Sequence, residues 1–111
     1  MKKFINKKTE IFPTVESKED DSPWSFADLA IMCINRTPPA PGETVKQMRQ
    51  AIKTFDKLHE KRSEFDSEID LEDAEFEFLS NCIKKLQSWP FRHVDVVNFR
   101  EYIEELGASG D

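Results

Sequence analysis

The stretch Glu64–Leu86, EFDSEIDLEDAEFEFLSNCIKKL, decides how this chain reads. Its front half, Glu64 to Glu77, carries eight acids and no base. Its back half is apolar at helical spacing and closes on Lys84 and Lys85. Leu71, Ala74, Phe78, Leu79, Cys82, Ile83 and Leu86 make one stripe, which predicts an amphipathic helix. Asp70 stands as its N-cap, with Glu72 and Asp73 in the first turn, where acids complement the helix dipole. Ile69, just before the cap, offers half of a hydrophobic staple. On this reading Asp66–Asp70 is a connector.

Immediately before that connector comes a basic helix. Thr44 and Gln47 form a T-x-x-Q capping box, a start signal with a mechanism. Val45, Met48, Ile52, Phe55, Leu58 and His59 follow at spacings of three and four, so this face is expected to be the packed one. Lys46, Arg49, Lys53, Lys57, Lys61 and Arg62 take much of the remainder, and the helix is expected to end near Ser63. The basic helix and the acidic stretch are therefore complementary. They can balance each other within the chain or bind across copies.

Further out, Trp24–Asn35 is apolar nearly all round. That marks a helix buried on several sides, either central to the domain or in an oligomer contact. Ser22 with Pro23 gives one start signal, and Ser25 with Asp28 gives another a turn later. Thr37–Gly42, TPPAPG, is a stiff spacer between helices. Ser88–Phe91, SWPF, breaks the chain again. Asp95 then caps a last helix to Leu106, with Val96, Phe99, Ile103 and Leu106 inward and Gly107 as its C′ residue. At the N-terminus, FINKKTEIF (residues 4–12) predicts an extended arm or a short hairpin turning at Lys7-Lys8. Pro13 ends it, and the solvated linker ESKEDDS (residues 16–22) follows.

The expected fold is all-α: a small four-helix domain over 23–107, an N-terminal arm and acidic linker over 1–22, and a frayed tail over 108–111. With 111 residues the chain is one domain. Its nine Phe and two Trp supply a core despite 34% charged residues, and its three Gly argue against a turn-rich β fold.

Composition also bounds function. A net charge of −6 opposes direct nucleic-acid binding. No apolar run reaches the roughly 18 residues a membrane span needs. Cys33 and Cys82 sit among apolar neighbours and read as buried free thiols of a reducing cytoplasm. Asp66, Glu68, Asp70, Glu72 and Glu77 imitate positions of a calcium loop. However, Leu71 stands where the sharp turn needs glycine, and Asp73 where an apolar residue is expected. Cys33, His59, Cys82 and His93 lack zinc-site spacing. No nucleophile elbow, phosphate loop or zinc-protease motif is present. No cofactor, metal or catalytic residue is therefore assigned.

The layout of residues 24–106 combines a short helix, the connector into PGETVKQMRQAIKTFDKL, the turn DLEDAEFEFL, a Trp-Pro break and a last helix. It resembles small assembly and accessory proteins of tailed bacteriophages. The resemblance implies a non-enzymatic chaperone, connector or inhibitor, working in the host cytoplasm or the virion, and it transfers no residue roles.

The expected function is a protein-interaction module that oligomerises or binds a partner protein. Its contact residues are expected to be Phe4, Ile5, Ile11 and Phe12 of the arm, Lys46, Arg49 and Lys53 of the basic helix, and Asp66, Glu68, Asp70 and Glu72. The alternative is an acidic inhibitor of a basic or nucleic-acid-binding site. A third reading, a small enzyme or a DNA regulator using Lys46, Arg49, Lys53 and Lys57, has the charge balance against it.

Overall fold

The structure, a computed structural model, describes residues 2–11, 23–37, 42–86, 89 and 93–108. Phe12, the linker 16–22, the proline run 38–41 and the residues 109–111 lie outside it. In chain order the elements are β1 (Lys2–Ile5), α1 (Phe26–Arg36), α2 (Val45–Glu60), β2 (Glu68–Leu71), α3 (Asp73–Lys85) and α4 (Val94–Ala108). Four helices thus carry most of the described residues, as expected, but the fold is not purely α. The arm does not hairpin on itself. β1 pairs antiparallel with β2, in the register Lys2↔Leu71, Lys3↔Asp70, Phe4↔Ile69 and Ile5↔Glu68.

That pairing corrects the connector assigned to 66–70. The run Glu68-Ile69-Asp70-Leu71 alternates exposed and buried, the period of a strand with one face on a core. Ile69 and Leu71 are 3% and 0% exposed, so their burial outweighs the weak strand preference of the acids between them. The cap of α3 consequently moves from Asp70 to Glu72, whose N–H donates to Oε1 of Glu75 at 2.8 Å. The buried stripe of α3 shifts as well. Phe76, Leu79, Cys82 and Ile83 face inward, while Phe78 is half-buried and Ala74 exposed.

A two-stranded ribbon is marginal alone and needs a surface to lie on. Phe4, Ile69 and Leu71 supply its inner face and join the same core as Leu29, Leu58, Leu79 and Phe99. Beyond β1 the chain turns to run beside the start of α1. Thr9 N–H donates to Trp24 O, Trp24 N–H to Ile11 O and Phe26 N–H to Lys7 O. Residues 2–11 are thereby woven between the ribbon and α1, with Phe4 fully buried and Ile11 nearly so.

Asn6 fixes the crossing point. It is wholly buried; its Nδ2 donates to Lys61 O at 2.8 Å and Glu64 O at 3.2 Å, and its Oδ1 accepts Ala27 N–H at 2.8 Å. One side chain thus satisfies groups at the start of α1 and the end of α2, where helices leave unpaired donors and acceptors.

α1 uses the later start signal. Ser25 caps it, in a box with Asp28, and Ser25 Oγ also donates to Arg62 O at 2.7 Å. Phe26, Ala27, Leu29, Ala30, Ile31, Met32 and Cys33 are all buried, and the helix packs against α2, α3 and α4 as the centre of the domain. Phe26 meets Phe99 edge-on at 5.3 Å, a favoured aromatic geometry, and Trp89 also meets Phe99 edge-on at 6.4 Å. α4 buries Val96, Phe99 and Ile103 from the expected stripe, and runs on through Gly107 to Ala108.

Candidate functional site

Two surfaces stand out for the charge or the apolar area that they expose. One is the acidic ribbon with the turn before it. Asp66 sits at φ 64°, the left-handed region that Asp tolerates better than most residues. Its N–H donates to Asn6 O at 2.8 Å, which closes the turn into β2. Glu68, Asp70 and Glu72 are exposed.

The basic helix does meet this acidic stretch, though mainly through backbone. Lys57 Nζ donates to Asp70 O at 3.1 Å, and Lys61 Nζ to Glu68 O at 3.0 Å. Lys57 also pairs with Glu75 Oε1 at 2.6 Å. Glu75 is fully buried, and its Oε2 has no hydrogen-bond partner. The two lysines therefore occupy outward carbonyls of β2. On β1, Ile5 N–H donates to the Tyr102 hydroxyl at 2.8 Å. Side chains thus take outward backbone groups on both strands of the ribbon, which disfavours the addition of a further strand. The Glu68 carboxylate pairs with Lys3 at 3.9 Å, with both side chains more than half exposed, a pair worth about 0–1 kcal/mol. Because α2 spends Lys57 and Lys61 on carbonyls and on Glu75, the carboxylates of Glu68, Asp70 and Glu72 keep facing solvent.

The second surface is the outer face of α2. The sequence predicted that Val45, Met48 and Ile52 would pack inward. They are instead 62%, 45% and 59% exposed. The helix is held through Thr54 and Leu58, both fully buried, with Phe55 and Ala51 half-buried. Two stripes compete on this helix, and the one through Ala51, Thr54 and Leu58 takes the core. The reason is anchoring at the C-terminal end, where Lys57 and Lys61 reach β2 and Lys61 O holds Asn6. The N-terminal half of α2 meanwhile stands off α3 across an open groove of about 710 Å³, lined by Ile34, Gln47, Gln50, Phe78 and Cys82 among others. Lys46, Arg49 and Lys53 are exposed along that half.

The predicted contact residues therefore separate. Asp66, Glu68, Asp70 and Glu72 are brought together at the surface, and Lys46, Arg49 and Lys53 lie together on α2. Phe4 and Ile11 go into the chain's own core, Ile5 is half-buried against Tyr102, and Phe12 lies outside the described residues. The residues missed are Val45, Met48 and Ile52 as a surface. Their signal was present as the three-four spacing, but it was assigned to the core.

Among the described residues no three His, Cys, Asp or Glu side chains converge as metal ligands. Cys33 and Cys82 are buried free thiols. Burial, with Cys82 nearby, pushes Cys33 up to about 12, and burial raises Cys82 as well. Both thiols are therefore poor nucleophiles at neutral pH. Among the described residues no helix is long and apolar enough to cross a membrane. Compared with known proteins, the chain matches no family model, no curated protein and no solved structure.

Proposed function

We propose that this chain is a non-enzymatic protein-interaction module, of the kind tailed bacteriophages use as assembly or accessory proteins. It acts by joining the outer face of α2 to another protein surface. The observation that carries this reading is the exposure of Val45, Met48 and Ile52 on a helix otherwise well capped and anchored. Apolar side chains exposed singly are ordinary; three in a row on one helix face are the anatomy of a contact site. The test is cross-linked capture in cells that produce the chain, comparing the native sequence with Ile52→Glu. A cross-linked partner that disappears with the substitution supports the reading. An unchanged pattern of partners counts against it.

A second reading is favoured by the ribbon. Glu68, Asp70 and Glu72 present carboxylates outward because the nearest lysines bind backbone and Glu75. Such a surface suits an acidic inhibitor that covers a basic site on its target. Binding to a basic protein that falls steeply with salt, and is lost in a variant reversing Asp66, Glu68, Asp70 and Glu72, would support it. Salt-insensitive binding would exclude it.

A further inference from the structure

Val45, Met48, Ile52, Phe55 and His59 recur at spacings of three, four, three and four, the seam positions of a two-helix coiled coil. Phe55 is half-buried and stacks on the exposed His59, with ring centres 5.7 Å apart and 20° between planes. The stripe is nearly a mirror of itself about Ile52. Val45 and His59 lie seven residues to either side, and Met48 and Phe55 lie four before and three after. The charges beside the seam invert across the same point. Arg49 precedes Ile52 by three residues, and Asp56 follows it by four. Both are exposed and both lie on the flank away from Ala51 and Leu58, which belong to the chain's own packing.

We infer that α2 pairs antiparallel with α2 of a second copy of this chain, about a two-fold axis near Ile52. This rests on the interaction-module reading and names its partner. Antiparallel pairing sets Met48 against Phe55 of the second copy and Val45 against its His59. Arg49 of each copy lies beside Asp56 of the other, so the two-fold axis makes each complementary contact twice. Parallel pairing would instead set Arg49 beside the Ala51 and Leu58 flank of the second copy, which that copy uses for its own packing, and would align the two helix dipoles, both unfavourable. Lys46 and Lys53 stand further round the helix and leave the seam apolar. A helix of 16 residues is about 24 Å long, so one seam buries less than the ~1,600 Å² of a standard interface. The pair is accordingly weak, dissociating between roughly micromolar and millimolar concentrations.

Sedimentation of the purified full chain from about 10 μM to about 1 mM tests this. The native chain should rise from its 13.0 kDa monomer mass towards the dimer. Ile52→Glu should stay monomeric with its circular dichroism unchanged, because the residue is exposed in the monomer. Arg49→Asp and Asp56→Arg should each weaken association about tenfold or more, since each sets like charges side by side. The R49D/D56R double variant should recover it, and an equimolar mixture of the two single variants should associate better than either alone. Native chain that stays at monomer mass throughout overturns the inference, as does a dimer indifferent to Ile52→Glu. Charge variants without effect overturn the antiparallel register. If the purified chain is monomeric while capture in cells still depends on Ile52, self-pairing fails and the interaction reading stands. If that capture is absent too, both fail.

Discussion

The C-terminal end of α2 and its N-terminal half teach opposite lessons from one amphipathic helix. At the end, Leu58 is fully buried, Lys57 and Lys61 hold β2, and Lys61 O receives Asn6. Along the first half, Val45, Met48 and Ile52 face water and an open groove separates the helix from α3. Hydrophobicity does not distinguish the two. What differs is the supply of partners, because the ribbon and the arm converge on one end only. An apolar face is packed where several elements can reach it, and otherwise remains available to another molecule.

The largest effects are expected at the packed end of α2 and the elements that converge on it. Phe4→Ala should cost about 3–5 kcal/mol in urea unfolding, because the ring is fully buried between the ribbon and Tyr102, whose ring centre is 5.8 Å away. A loss below ~1 kcal/mol would mean that β1 contributes little to the fold. Lys57→Met should come next, at roughly 2–4 kcal/mol, because it leaves the Glu75 carboxylate buried with only the Glu72 N–H. Adding Glu75→Gln should return part of that loss. If the double variant is no better than Lys57→Met alone, the ion pair is not what Lys57 contributes.

The buried thiols give a pH signature of the same packed region. A thiol raised to about 12 holds its proton more tightly folded than unfolded, where it titrates near 9.0. Its contribution to stability is therefore complete below pH 9 and drains away as pH rises towards 12. Unfolding midpoints measured from pH 8 to 11 should fall more steeply for the native chain than for Cys33→Ala. At neutral pH the native chain should react with a thiol reagent only as fast as it opens, and a fast reaction would place the cysteines at the surface.

Much of this was legible in the sequence, and the failures share a cause. The Thr44 box, the Ser25 and Asp28 alternative start, the near-total burial of α1 and the stripe of α4 are local signals, and each appears in the structure. β2 was missed because Glu68, Asp70 and Glu72 look like the entrance to a helix. The period-two alternation of Ile69 and Leu71 is only four residues long, and its partner lies more than sixty residues away. Charge offered a hint, since the basic Lys2-Lys3 strand lies beside the acidic Glu68-Asp70 strand, but sequence alone does not say that those segments meet. The face of α2 was misassigned for a similar reason. Its two stripes are both apolar enough to pack, and the choice between them is made by Asn6, Lys57 and Lys61 through contacts distant in sequence.

The smallest effect is expected on the exposed face of the N-terminal half of α2. Ile52→Ser and Met48→Gln should each change the unfolding free energy of the monomer by less than about 0.5 kcal/mol, since substitutions at exposed positions away from special features rarely do more. Helix propensity hardly changes in either substitution, because serine is close to isoleucine and glutamine is close to methionine. Leu58→Ser, less than two turns along the same helix, should cost several times more, since Leu58 is fully buried and a hydroxyl there meets no water. If Ile52→Ser proved as damaging as Leu58→Ser in dilute solution, the N-terminal half of α2 would have to be packed in the monomer, and its apolar stripe would not be a surface for anything else.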